Sequence, residues 1–282
     1  MKIGAHVSIS GGVEKSIDRA INIGAESIQI FGSSPRGWVF RPPKPEQIEA
    51  FKRAAAESNI SSYLHGSYLV NVCGDESLLE KSKESLINNI NLASDLGSVG
   101  VIFHGNSHKG RQFEGILNQA TSAIQEVMQK SQQDPLLIIE NSAGMGGHIG
   151  SRFNEIGRLI KAINNPRIKV CLDTQHAFAA GYDLTGKKTL EETLDEFDRE
   201  IGLENLVVVH ANDSKIELGG GVDRHENIGD GYIGKDGFQT IMDHPAFSEI
   251  PFLLEVPGLD GNGPDEKNVD RLKTIRSTIG HI

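Results

Sequence analysis

Eight times along the chain a short apolar run ends on or near a polar residue: 2–6, 27–31, 61–65, 100–104, 136–140, 167–173, 206–210 and 251–255. Runs such as Leu136-Leu-Ile-Ile-Glu140 lack the apolar–polar alternation of a half-exposed strand. Both faces of each run are therefore expected to be buried, as in a parallel sheet. Between the runs the apolar spacing changes to three and four. Ile17, Ala20 and Ile21 follow Gly11-Gly12, and Ile48, Phe51 and Ala55 lie within 45–58. Leu79, Leu86, Ile90, Ala93 and Leu96 follow Asp75, a side chain suited to capping a helix. Phe113, Leu117, Ala120, Ile124 and Val127 precede the break at Asp134-Pro135. Further helices are expected around Phe153, Ile156 and Leu159, and over 190–201, 237–243 and 266–279. This alternation predicts an α/β fold, a closed (β/α)8 barrel of the TIM type, with an open doubly wound sheet as the alternative. No linker or low-complexity segment divides the chain, so 1–282 is read as one domain.

The strand ends carry the chemistry. Consecutive runs from the third onward end in His65, His104, Glu140, Asp173, His210 and Glu255. In a parallel barrel these ends share one rim, where such folds hold their active sites. His176, Asp223 and His225 lie in loops above the same rim. Taken singly, each has a plain structural explanation: Asp173 as a helix cap, His176 as a surface histidine. Taken together, four carboxylates in one mouth would repel and partly protonate unless cations held them. Imidazole and carboxylate donors without thiolate suit zinc or manganese, and the histidine share leans to zinc. Nine donors suit two or three ions, with Glu140 the choice for a bridging carboxylate. Clustered divalent cations commonly hold a phosphodiester, activate water and neutralise a departing alkoxide. Of the other histidines, His6 is expected at the rim, and His108, His244 and His281 at the surface. His148 has no assigned part.

Composition narrows the setting. The formal net charge of -10 argues against bulk attraction to nucleic acid or an anionic membrane, without excluding a local cationic site. Two cysteines, Cys73 and Cys171, do not make a disulfide framework and suit a reducing cytoplasm. The first residues lack the apolar core of a signal peptide, and no apolar run is long enough to span a bilayer, so no membrane partner is expected.

Several segments carry a closer likeness: Gly4-Ala-His-Val-Ser8, His65-Gly-Ser-Tyr-Leu-Val-Asn71, Ile139-Glu-Asn-Ser-Ala-Gly144, Cys171-Leu-Asp-Thr-Gln-His176 continuing to Asp183, His210-Ala-Asn-Asp-Ser-Lys215 and Asp223-Arg-His-Glu-Asn-Ile-Gly229. With Phe103-His104, Ser107-His108 and Leu254-Glu255, they make the chain resemble the endonuclease IV family of apurinic/apyrimidinic endonucleases. The resemblance implies three zinc ions, with manganese an option at one position. His65, His104 and Glu140 would hold the first; Glu140, Asp173, His210 and Glu255 the second; His176, Asp223 and His225 the third. Glu140 would be the bridging, catalytic carboxylate. The implied reaction is hydrolysis of the phosphodiester 5′ to an abasic site in double-stranded DNA, leaving a 3′-hydroxyl, with trimming of 3′-blocked ends. A monomer is expected. Arg36, Tyr68 and Leu69 match the family's DNA-intercalating loops, and Lys109, Arg111, Lys215 and Arg224 lie in rim loops that could meet phosphates. Three stretches depart from the pattern. Gly-Asn-Ser-His stands at 105–108 where Pro-Gly-Ser-His is usual, Val-Pro follows Glu255 where Thr-Pro is usual, and Val72-Cys-Gly-Asp75 is unusual. These touch loop shape and the fit to DNA.

Two rivals remain. A sugar isomerase or epimerase of similar shape also gathers acids and histidines, around one or two ions. Asp223 and His225, which would serve a third, argue against it. A lesion-binding protein without catalysis is the other, disfavoured by the intact Glu140.

Overall fold

The structure is a computed structural model and describes residues 1–108 and 110–280; Lys109 and His281 lie outside the described residues. In chain order, β1 (Ile3–His6) leads to α1 (Lys15–Asn22), β2 (Ser27–Phe31) to α2 (Pro45–Glu57), and β3 (Ser61–His65) to α3 (Glu76–Leu96). Next come β4 (Gly100–His104) with α4 (Phe113–Lys130) and β5 (Leu136–Glu140) with α5 (Phe153–Ile163). β6 (Ile168–Asp173) is followed by α6 (Thr174–Ala179) and α7 (Lys187–Glu200). β7 (Leu206–His210) precedes a small hairpin of β8 (Asp213–Ser214) and β9 (His225–Glu226), then α8 (Gly234–Asp243), β10 (Phe252–Leu254) and α9 (Glu266–Thr278). The eight barrel strands are all parallel and close in the order β1-β10-β7-β6-β5-β4-β3-β2.

Strand parity explains both the closure and the site. Tyr63, Ile102, Ile138, Cys171, Val208 and Leu253 fill the barrel interior as one buried cluster. Their neighbours in sequence, such as Leu137 and Ile139, point outward into the larger core beneath the helices. Successive side chains alternate between faces, so both sides of every strand are apolar. Two residues on from each interior residue stands a polar one of the same parity: His65, His104, Glu140, Asp173, His210 and Glu255. All six therefore point into the mouth. Gly4 belongs to the same inner set, because a Cβ there would meet the Ser27 carbonyl at 2.4 Å and the Leu253 side chain at 2.6 Å. Two residues after it stands His6. Burial of each large apolar side chain contributes about 1.5–3 kcal/mol, which makes this double-layered core the main source of stability.

The expected bounds differ in places. Ile21, expected on the inner face of α1, is exposed, and the buried face is made by Ser16, Ile17 and Ala20. α6 forms after Asp173, where a helix was only the plain alternative to a ligand-bearing loop, α7 begins earlier at Lys187, and α8 begins at Gly234. The long connection from β7 to α8 contains the β8–β9 hairpin. Cys73 and Cys171 are buried free thiols. None of the described helices is long and apolar enough to cross a membrane.

Candidate metal centre

Parity brings the strand-end donors together, and pairing register sets who stands beside whom. His104 lies opposite Glu140 on adjacent strands, and Asp173 opposite His210. Glu140 occupies the centre. Its Oε2 lies 3.3 Å from His65 Nε2 and 3.4 Å from His104 Nε2, while its Oε1 lies 3.0 Å from His210 Nδ1 and 3.2 Å from His176 Nδ1. The two oxygens thus face two different groups of histidines. Glu255 Oε2 is 3.3 Å from His210 Nδ1. Asp223, half exposed, lies 3.4 Å from His176 Nε2 and 3.3 Å from His225 Nε2.

The donor atoms gather into three clusters, each within 4.8 Å: His65, His104 and Glu140; Glu140, Asp173, His210 and Glu255; and Asp173, His176 and His225. The first two have the composition expected of them. In the third, Asp173 joins His176 and His225, while Asp223 contacts both histidines. Asp173 serves two purposes. One oxygen caps α6 by accepting from the His176 amide at 2.8 Å, and the other accepts from Asn212 Nδ2 at 2.7 Å inside the cluster. Asp173 is thus the cap of α6 and at the same time a member of two donor clusters.

Three of the imidazoles are turned by a fixed acceptor. His65 Nδ1 donates to the Gly66 carbonyl at 2.7 Å, leaving Nε2 as a lone pair toward Glu140. His225 Nδ1 donates to the Glu255 carbonyl at 3.3 Å. That leaves His225 Nε2 buried as a lone pair, facing Asp223 at 3.3 Å and Asp173 at 3.8 Å but hydrogen-bonded to neither. His210 Nε2 donates to Gln29 Oε1 at 2.7 Å, which turns its Nδ1 inward. The same Gln29 donates to Glu255 Oε1 and to His6 Nδ1. Such outer contacts set tautomer and ring orientation at metal sites.

The electrostatics have the character of a site built for cations. Burial alone would raise the Glu140 carboxyl, but His104, His210 and His176 outweigh it and hold the group well below the usual carboxylate range. Burial raises Asp173 despite His176 and His225, and Glu140 adds to the rise. Burial lowers the His104 imidazole to about 4, because its histidine neighbours offset the pull of Glu140. Burial opposes charge on His176 too, yet Asp173, Asp223 and Glu140 raise it well above normal. Four acids sharing this pocket require positive charge, as protons on the histidines or as divalent cations. The orphaned lone pair, the fixed tautomers and the oxygen–nitrogen donor set all suit the latter.

Gln29, Asn141, Asn212 and Gln175 escaped the sequence reading. Asn141 accepts from the Asp173 amide at 2.6 Å, and Asn212 accepts from the Glu255 amide at 2.8 Å. Gln175 donates to the Val222 carbonyl at 3.0 Å and so ties down the loop bearing Asp223. Gln29 carried a signal: it is a polar residue set between Ile28 and Ile30 in the middle of its strand. Asn141 and Asn212 follow strand-end residues by one and two positions.

Around the centre, Tyr68 is exposed at the lip, its ring 5.3 Å from Phe31 and 5.6 Å from His65. Leu69 beside it is half-buried and Arg36 is exposed. The Tyr68 amide and the Ser67 hydroxyl both donate to the Pro35 carbonyl, which joins the loops carrying Arg36 and Tyr68. Tyr68 separates two hollows, of about 600 Å³ toward His6 and Glu255 and about 290 Å³ toward His104, His148 and Asp223. His6 is at the rim as expected, and His148 lines the smaller hollow. His108 is half-buried rather than at the surface. Of the rim cations, Arg111 is spent internally on Gln119 and the Cys73 carbonyl, and Lys215 pairs with Glu226 at 3.6 Å. Arg224 remains exposed.

A closed parallel barrel with adjoining clusters of acid and imidazole donors at its C-terminal rim defines a class: TIM-barrel proteins equipped for several metal ions. The model of the xylose isomerase-like TIM barrel family matches residues 17–277. A Halothermothrix orenii protein named probable endonuclease 4 is 40% identical over 276 residues, spanning 97% of this chain and 99% of its own. One of the same name from Petrotoga mobilis is 38% identical over 288 residues, spanning 100% of both. The crystal structure of endonuclease IV from Thermus thermophilus superposes with a TM-score of 0.85 at 34% identity, covering 98% of each chain. A D-tagatose 3-epimerase-like protein superposes at 0.75 with 17% identity over 98% of this chain and 96% of its own, a likeness of fold alone. The chain belongs to the endonuclease IV family of enzymes.

Proposed function

We propose that this protein is a zinc-dependent DNA-repair endonuclease. It hydrolyses the phosphodiester 5′ to an abasic site in double-stranded DNA, leaves a 3′-hydroxyl, and removes 3′-blocking groups. It acts as a monomer in the cytoplasm, with its whole length as one domain. The observation that carries this reading is the central Glu140, its two oxygens facing different histidine groups at a mouth edged by an exposed tyrosine.

His65, His104 and Glu140 would hold one zinc; Glu140, Asp173, His210 and Glu255 a second; His176, Asp223 and His225 a third, with Asp173 between the last two. Manganese suits one of the positions. Cations held there would supply Lewis-acid charge for the phosphate, a lowered pKa for water, and neutralisation of the leaving oxygen. The chain's own residues do the rest. Glu140 keeps the clusters in one geometry by facing both. Gln29, Gly66 and the Glu255 carbonyl fix which nitrogen of His210, His65 and His225 points inward. Asp223, at the open side, stands where a substrate phosphate enters. A nucleotide without a base leaves its stack at little cost, and Tyr68, Leu69 and Arg36 offer side chains to fill the gap.

The test is a duplex bearing one tetrahydrofuran abasic analogue, incubated with wild-type protein and with Glu140→Gln. A single cut 5′ to the lesion is expected, reduced in the variant by roughly 10²-fold or more. An uncut duplex with fully metallated wild-type protein would overturn the proposal. Turnover of a ketose with one metal per chain would instead favour the epimerase reading.

A further inference from the structure

Asn106 has backbone φ of 62°, a left-handed conformation that favours glycine and that asparagine tolerates better than most residues. Its side chain compensates. Nδ2 donates to the Tyr68 carbonyl at 3.0 Å and to the Val70 carbonyl at 2.9 Å, and Oδ1 accepts from the Ser107 amide at 2.9 Å. Its own carbonyl accepts from the Ile149 amide at 3.1 Å. One residue therefore links the loops that follow β3, β4 and β5. Asn71 Nδ2 adds a second tie, to the Ser107 carbonyl at 3.0 Å. The Tyr68-Leu69 turn is held from both flanks: by Pro35 on the side of β2, and by Asn106 on the side of β4.

We infer that Asn106 is a positioning residue that locks the Tyr68-Leu69 turn in the orientation that meets the substrate. The clamp sits in the Gly-Asn-Ser-His stretch at 105–108, one of the three that depart from the usual pattern of the resembled family. Glycine would satisfy the backbone there but could not reach the two carbonyls. Asn106 lines the smaller hollow beside Tyr68 and is none of the cluster donors. Its loss should therefore act on substrate binding and leave the cations in place. A turn held in its binding geometry avoids an ordering cost when substrate arrives.

The inference rests on the proposed function, and two arms keep them separable. Asn106→Gly removes the clamp without adding backbone strain. In the kinetic arm, KM for the lesion duplex should rise roughly three- to tenfold with kcat within about twofold, as when an interaction common to ground and transition state is lost. Metal content per chain should be unchanged. In the second arm, hydrogen exchange over residues 66–72 should quicken in Asn106→Gly. It should also quicken in Asn106→Asp, which keeps size but presents acceptors to the two carbonyls. An unchanged KM, a fall in kcat alone, or wild-type exchange in both variants would overturn the inference. If wild-type protein leaves the duplex whole, the functional reading fails, and the exchange arm still decides whether the clamp exists.

Discussion

Gln29→Ala tests how far the centre depends on a residue outside the donor set. The side chain is fully buried and makes three contacts: its Oε1 accepts from His210 Nε2 at 2.7 Å, and its Nε2 donates to Glu255 and, at 2.9 Å, to His6 Nδ1. Alanine removes all three. Each hydrogen bond is worth a net of about 0.5–1.5 kcal/mol, so the sum is roughly 1.5–4.5 kcal/mol, shared between fold and site. The part that falls on the site follows from what is lost. His210 can then turn or change tautomer, and Glu255 loses a donor that orients it. Loss of such outer contacts typically weakens metal binding by about 10–100-fold, or roughly 1.4–2.7 kcal/mol. The weakening should be confined to the position shared by Glu140, Asp173, His210 and Glu255. Competition with a chromogenic chelator should therefore reveal one weakened ion among those bound, with the others as in wild type. Gln29→Glu should do more harm, since it sets a carboxylate against Glu255. If Gln29→Ala binds every ion as tightly as wild type, Gln29 does not orient the centre.

Other expectations concern the frame. Glu26 pairs bidentately with Arg276, at 2.6 and 2.8 Å, and accepts from the Ile3 amide. Burial opposes its ionisation, but Arg276 and Ile3 outweigh it and draw the carboxyl from about 4.5 down to about 2. Because the folded-state value is depressed, its stabilisation is present above pH 4.5 and fades as pH falls toward 2. After allowance for solvent screening, Glu26→Gln should cost about 1–2 kcal/mol at neutral pH, and the gap to wild type should close near pH 2. Denaturant titration at several pH values measures this; a gap independent of pH would contradict it. Asp213 is fully buried and accepts from the amides of Ser214, Gly229, Gly231, Ile233 and Gly234 at 2.8 to 3.2 Å. Asp213→Asn places donors against those amides and should destabilise by about 3 kcal/mol, with faster hydrogen exchange over residues 227–234. Wild-type exchange there would contradict it.

Much of this architecture was legible in the sequence because a parallel barrel has a simple code. Both faces of a strand are buried, so its run is uniformly apolar, and a polar residue at its end stands out. The same rule explains what was missed. On β2 the inward parity runs Ser27, Gln29, Phe31, and the residue that reaches His210 and Glu255 is Gln29, two positions before the strand's end. Reading only strand ends overlooks Gln29. α6 was foreshadowed only by Asp173 as a cap, a residue that also points into the cluster, and six residues are too few to display a helical period. Asn106 could be seen only as an oddity, since nothing in a sequence tells that its side chain reaches back to the loop after β3. The hairpin of β8 and β9 is two residues per strand, below any pattern that alternation can mark.

The most direct measurement is the metal content of the folded chain. Purified protein equilibrated with excess zinc and freed of loosely bound ions should retain about three ions per chain by elemental analysis. Glu140→Gln should retain fewer while remaining folded. One ion or none in the folded wild-type protein, or the same content in the variant, would contradict a centre built around Glu140.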